Sequence, residues 1–517
     1  MESGALQVRI RGMRLGLSRW RVVAAVVGLA AVSCKRLPPP AANDAGLRVV
    51  GDASAPIGFL SGDAGALAAA DARTQPDVVI PCTKTPGGAF TLRFGIDGRF
   101  NSDVAVDACD NIVLAGSFKS PIDFGGGPLA SDGSEDIFVA KFASGGAHVW
   151  SKKFGDKGKQ HVRAVTIGPA DDIYMTGDFD GSVDFGGHAL VRESKFQSAI
   201  YLVRLDTQGK EQFSRFFVDT GPGATATTIA VDKDGSVVVA GKFAKAINLG
   251  GGPLSEDLGG IFCAKYNKYG GHQWSKAFAS QKYPNAVSVT GLAIGDSGDV
   301  ILGGTFDNSV DFSETVKIKS TGKSDGFVAS FDANGEAKWA KHYGDADPNG
   351  TSGVTTDSSG NAIALQWDER KAPGGPDWKR IHNLSLHKFD PKGKQLYQKF
   401  FAGGKDGIED SQVAVAPSDH VIVTGTLTDN AALGGKPIEI AKGQKKNAVA
   451  RFDAKGAFLS SEAYGADDEM PFPKGLVVDS NGEIVLSGVI DPRPNAAAKL
   501  PNGKLPFDVF LQKIAAP

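Results

Sequence analysis

From about residue 90 the chain is written in short runs in which apolar and polar residues alternate. The first clear unit reads Ser102-Asp103-Val104-Ala105-Val106-Asp107, a turn, then Asn111-Ile112-Val113-Leu114-Ala115-Gly116-Ser117-Phe118. After Asp123-Phe124-Gly125-Gly126-Gly127 it continues with Asp136-Ile137-Phe138-Val139-Ala140-Lys141-Phe142, and a Gly turn leads to Val149-Trp150-Ser151-Lys152-Lys153-Phe154-Gly155. Period-two runs rich in Val, Ile and Phe between Gly and Asp turns predict strands, because successive side chains on a strand point to opposite faces. Each unit thus holds four short strands. Turns such as Asp234-Gly235 and Asn481-Gly482 predict hairpins.

The unit repeats. A glycine near the end of the second strand recurs at Gly116, Gly177, Gly241, Gly304, Gly425 and Gly488, spaced 61, 64, 63, 121 and 63 residues apart. The 121-residue gap holds a degenerate unit with Gln366 at the expected place. Seven units of four strands predict a β-propeller, since such small sheets cannot bury both faces alone and must stack radially. The first strand, Phe90-Thr91-Leu92-Arg93-Phe94-Gly95, matches the outer strand of a unit, and the last, Asp508 to Ile514, matches a third strand. This offset predicts ring closure: the N-terminal strand completes the last blade. The fold class expected is all-β, a seven-bladed propeller of four-stranded antiparallel blades over residues 88–517.

The leader is different. Five arginines (Arg9, Arg11, Arg14, Arg19, Arg21) precede an 11-residue apolar run, Val22 to Val32, followed by Ser33 and Cys34. A basic segment, a short apolar core and small residues describe an export signal over residues 1–33, too short to span a bilayer as an ordinary helix. Ala31-Val32-Ser33-Cys34 resembles a bacterial lipobox, which implies lipid on Cys34 and export to the cell envelope, with the outer membrane as the expected address. Residues 34–87, with Pro38-Pro39-Pro40 and much Ala, Gly and Asp, read as a flexible tether.

Without the leader, 51 basic residues face 57 acidic ones, a net charge of −6, so the balance gives no basic face for nucleic acid. Of the four cysteines none has C-x-x-C spacing; Cys82 and Cys109 flank the start of the repeats as a candidate disulfide in an oxidising compartment, and Cys263 sits in a strand as a small hydrophobe. Two histidines, His148 and His272, hold equivalent repeat positions and read as scaffold. His382 and His387 do not share a strand face, and Asp-rich turns such as Asp232-Lys233-Asp234-Gly235 lack the donor set of a calcium loop, so no metal site is expected. The strand lysines and arginines (Lys141, Arg204, Lys265, Lys388, Arg451, Lys513) are expected to lay their stems along a blade and reach water or a local acid.

The segments Asp136 to Phe142, Trp150 to Gly155 and Asp123 to Gly126 resemble the bacterial SBBP family of β-propeller repeats, over roughly residues 88–514. Together with the lipobox they resemble surface lipoproteins of myxobacterial type. That resemblance implies no catalytic residue and no cofactor. The fifth unit breaks its own pattern: Trp367-Asp368-Glu369-Arg370 replaces the usual second-strand ending, and Trp378-Lys379-Arg380 follows where Asp-Phe-Gly-Gly is expected. Trp and Arg are enriched at binding hot spots. Trp367, Asp368, Glu369, Arg370, Trp378 and Arg380 are therefore the candidate ligand-binding residues, with drift in a tolerant loop as the other reading. The expected function is a non-enzymatic, monomeric binding or scaffold module for a protein or glycan, held at the membrane through Cys34. The rivals are a propeller enzyme (lyase, glycoside hydrolase or quinone-dependent dehydrogenase) and a purely structural envelope component.

Overall fold

The computed structural model describes residues 88–96, 101–192, 199–221, 223–280, 286–371, 380–403, 407–427, 430–441, 444–464, 469–492 and 507–516. The leader, the tether, Cys34, Cys82 and Trp378 lie outside the described residues. Seven four-stranded antiparallel sheets form the blades. Their inner strands are Ser102–Val106, Gln160–Ile167, Thr225–Val231, Val287–Ile294, Asn349–Thr356, Ile408–Val415 and Glu469–Val478. Each touches the next, and the last touches the first, so the ring is closed.

Closure follows the offset in the sequence. The outer strand of blade 7 is Phe90–Ile96, paired antiparallel with Phe507–Ile514, with Phe90 opposite Lys513 and Phe94 opposite Val509. Two further contacts tie the ends. Phe90 packs on Gly146 of blade 1, and Lys513 Nζ donates to the Ser144 carbonyl at 3.3 Å.

In five of the six blades that keep it the recurring glycine makes room for a ring, while Gly425 faces Ala448. Gly116 faces Phe138 across the ladder, and a Cβ there would lie 2.7 Å from the Phe138 ring. Gly304 against Phe327 and Gly488 against Phe510 repeat the pairing. In blade 5 both partners change together, Gln366 standing opposite Ser385.

Neighbouring blades meet through the outer strands. Trp150 lies on Gly209 of the next blade and donates to Thr207 O at 3.2 Å. Trp274 and Trp339 repeat this towards Ala333 and Pro391, at 2.9 and 3.1 Å. Buried aromatic packing of this kind, with the indole N–H satisfied, supplies much of the inter-blade cohesion. The Asp-Phe-Gly-Gly loop belongs to the same scaffold: Phe124 is buried, and His148 covers Gly125 and Gly126 as His272 covers Gly250 and Gly251. Cys263 is buried, and burial pushes its thiol up to about 12.

Candidate functional site

Antiparallel order gives the ring two unlike ends. One, the turn end, carries the hairpin turns that join inner to second and third to outer strands. The other, the loop end, carries the longer second-to-third loops and the crossovers between blades.

The turn end is built from aspartates. Asp107 opens a turn by accepting the N–H groups of Cys109 and Asn111, both at 2.9 Å, on one carboxylate oxygen. Its other oxygen holds Lys141 of the third strand at 2.8 Å. The same device recurs as Asp232–Lys265 at 2.9 Å, Asp357–Lys388 at 2.7 Å and Asp479–Lys513 at 2.8 Å. In blade 2 the turn opens on Gly168, and Arg204 instead meets Asp172. In blade 4 the turn opens on Gly295 and the cation is replaced by Ser330, so both halves are lost together. Five of the six strand cations thus reach local acids, whereas in blade 6 the turn opens on Ala416 and Arg451 donates to the Ala515 carbonyl at 3.1 Å.

Three of the turns also reach back to the preceding blade. Asp110, Asp171 and Asp419 adopt φ of 61°, 60° and 60°, where blades 3, 4, 5 and 7 use Gly235, Gly298, Gly360 and Gly482. Asp110 accepts from Ser480 N and Oγ at 2.9 and 2.8 Å, Asp171 from Ala108 N at 2.8 Å, and Asp419 from Ser358 N and Oγ at 2.9 and 2.6 Å. Left-handed backbone is unfavourable for a residue with a side chain, though least so for Asn and Asp, and these contacts offset it. A cavity of about 450 Å³ opens at this end. The inner-strand ends Val106, Ile167, Val231, Ile294 and Val478 are among its lining, together with Asp107, Asp232 and Asp479, the acids that hold the lysines.

At the loop end, inner strands 2 to 7 carry a bulge, whereas that of blade 1 pairs without one. Bulge residues bond across blades: Ser352 Oγ to Ser411 Oγ at 2.8 Å, and Lys474 Nζ to Asp410 at 3.0 Å. Beside Asp103, whose carboxyl is pushed up to about 6 by burial against donation from the Val165 and Val104 amides, lies blade 2. There the His161 imidazolium donates to two acids, with Nδ1 2.8 Å from Asp178 and Nε2 against Glu135. Arg163 Nε meets Asp178 at 2.6 Å. The Asp178 hydrogen bond holds the imidazolium pKa above the ordinary histidine value despite burial. Glu135 comes from blade 1 and the other three from two strands of blade 2.

Blade 5 departs most. Its second and third strands, Ala362–Lys371 and Arg380–Phe389, run ten residues each as one ladder, where blades 1 to 4 break off into a separate two-stranded ribbon. Trp367 is half-buried: its ring lies on Gly350 and near His382, at 5.2 Å between centroids. It is a packing residue of the extension. Asp368 accepts from Asn383 Nδ2 at 2.7 Å and pairs with Arg370 at 2.8 Å, and Asn383 in turn accepts the Gly403 N–H at 2.9 Å. Arg370 is exposed, and its guanidinium stands 6.0 Å from the ring centre of Phe400, itself 56% exposed. The Glu369 N–H donates to Pro348 O at 2.9 Å. Arg380 pairs with Lys371 at the end of the ladder. Phe400 was missed in the sequence because it occupies an ordinary outer-strand position. Cys109 is disulfide-bonded to a residue outside the described ones, and Cys263 is free.

No protein-family model matches the chain. Regulatory protein FlaEY of Caulobacter vibrioides is 27% identical over 211 residues, which are 38% of this chain and 21% of that protein. The chain therefore matches only about a fifth of that relative's length. Among solved structures, polysaccharide lyase Uly1 is 13% identical, covering 84% of this chain and 90% of its own, with a TM-score of 0.44. The WD40 domain of Toxoplasma gondii coronin is 10% identical, covering 84% and 88%, with a TM-score of 0.38. The propeller assignment rests on the seven sheets themselves.

Proposed function

We propose that the protein is a binding module whose ligand, a protein or a glycan, is taken at the loop end beside blade 5. The observation that carries this reading is the exposed pair Arg370 and Phe400, carried beside an extension that replaces the short ribbon of blades 1 to 4. Aromatic and arginine side chains are enriched at the centres of binding interfaces, which suits this pair to anchor a partner. We also propose export and anchoring through lipid on Cys34, on the strength of the leader. Metabolic labelling with a lipid precursor tests the anchor, with label expected on wild type and lost in Cys34→Ala; label retained in the variant refutes it. A glycan and envelope-protein binding screen on the full chain tests the site. Arg370→Ala and Phe400→Ala are expected to weaken a hit at least tenfold, and binding indifferent to both discards the site.

The second reading, a propeller enzyme, draws on the His161 cluster, where an imidazolium, a guanidinium and two carboxylates converge where blades 1 and 2 meet. Turnover of a glycan that survives Arg370→Ala and Phe400→Ala but is abolished by His161→Ala would favour it over the binding reading.

A further inference from the structure

The four lysine–aspartate pairs of the turn end are not equivalent. In blades 1 and 5 an asparagine amide sits on the aspartate oxygen that holds the lysine, Asn111 Nδ2 at 2.9 Å and Asn361 Nδ2 at 2.8 Å. In blade 3 the same turn position is Ser236. In blade 7 it is Glu483, whose carboxylate lies 2.6 Å from Lys513 Nζ. Lys513 Nζ is also 2.8 Å from Asp479 Oδ2, and the side chains of Lys513, Asp479 and Glu483 are 0%, 0% and 14% exposed. A buried amine thus touches two carboxylates, one of them in the turn it binds and the other directly before the second strand of the same blade.

We propose that Lys513 and Asp479 join in an intramolecular isopeptide bond, with Glu483 as the catalytic proton carrier. The geometry assigns each part. Asp479 Oδ1 accepts the backbone N–H groups of Asn481 and Glu483, both at 2.9 Å, so two fixed donors face the oxygen on which charge builds as Cγ becomes tetrahedral. Glu483 takes a proton from the Lys513 ammonium and frees the amine lone pair. The amine attacks Asp479 Cγ, a C–N bond forms, and the Cγ–Oδ2 bond breaks. Glu483 relays the protons to Oδ2, which leaves as water. An ammonium and a carboxylate become one amide and one water, charge balances, and Glu483 ends ionised as it began. No oxidant, metal or cofactor enters. Holding the buried reactants in contact supplies the proximity that such a condensation lacks in water.

The place of the bond gives it a use. Lys513 lies on the C-terminal strand, which alone joins the N-terminal strand to the rest of blade 7. A link to the turn at Asp479 prevents that strand from peeling away.

The test is peptide mapping by mass spectrometry of the full chain after complete denaturation and protease digestion. A branched peptide is expected, in which the segments bearing Lys513 and Asp479 are joined and lighter than their sum by one water. Recovery of both segments only as unmodified linear peptides overturns the proposal. Glu483→Gln keeps the size of the side chain and is expected to yield linear peptides alone, with Lys513→Arg as a second variant that cannot form the bond. A branched peptide that persists in Glu483→Gln removes Glu483 from the proposed role.

Discussion

The two ends of the ring differ in how closely they obey the repeat. At the turn end one arrangement, an aspartate that caps its own turn and binds a third-strand lysine, appears in blades 1, 3, 5 and 7. At the loop end the second-to-third connection is a short ribbon in blades 1 to 4, an isolated bridge in blade 6 and a long ladder in blade 5. The difference teaches where the stability of the repeat is concentrated. Buried charges tolerate little change, because removing one partner strands the other, whereas loops that lie over a finished core are free to vary and to acquire binding surfaces.

That contrast can be broken at the turn end first. Lys388→Ala should strand Asp357, whose side chain is only 3% exposed, and cost about 3–5 kcal/mol in a denaturant titration. Gly304→Leu should drive a side chain into the Phe327 ring and cost about 1–3 kcal/mol or more by the same measure. Asp419→Gly loses the bonds to Ser358 but relieves its left-handed backbone, so the net change should stay within about 1 kcal/mol. At the loop end, Arg370→Ala should leave unfolding within about 0.5 kcal/mol of wild type, since its side chain is half exposed.

The His161 cluster sharpens the comparison through pH. Its folded pKa is raised, so it contributes stability that is complete below the unfolded value of about 6.5 and is lost as pH rises through the folded value. Stability measured across that window should fall with pH in wild type and fall less in His161→Gln. An identical slope in both would show that the cluster is uncoupled from folding.

Much of the fold was legible because local pattern and global closure agree. Strand runs, turns and the outer-strand character of Phe90 to Gly95 together gave the ring and its joint. The glycine column was visible, but its cause was not, since the explanation sits on the facing strand: Gln366 and Ser385 change together only when the ladder is known. A similar signal links Gly295 with Ser330, two columns that fail in the same blade. The His161 cluster had no such signal, because Glu135, His161 and Asp178 meet only after two blades are packed. Trp367 drew notice by residue type, yet the exposed surface beside it belongs to Arg370 and Phe400.

Because blade 7 takes its outer strand from Phe90–Ile96, the first propeller segment made must wait for the last one. The partner strand, Phe507–Ile514, is made after all the other blades, so the circle cannot be finished until that strand has left the ribosome. A message cut short before that point yields an unclosed arc with a bare sheet edge, and closure of the ring reports that the seventh blade has been made.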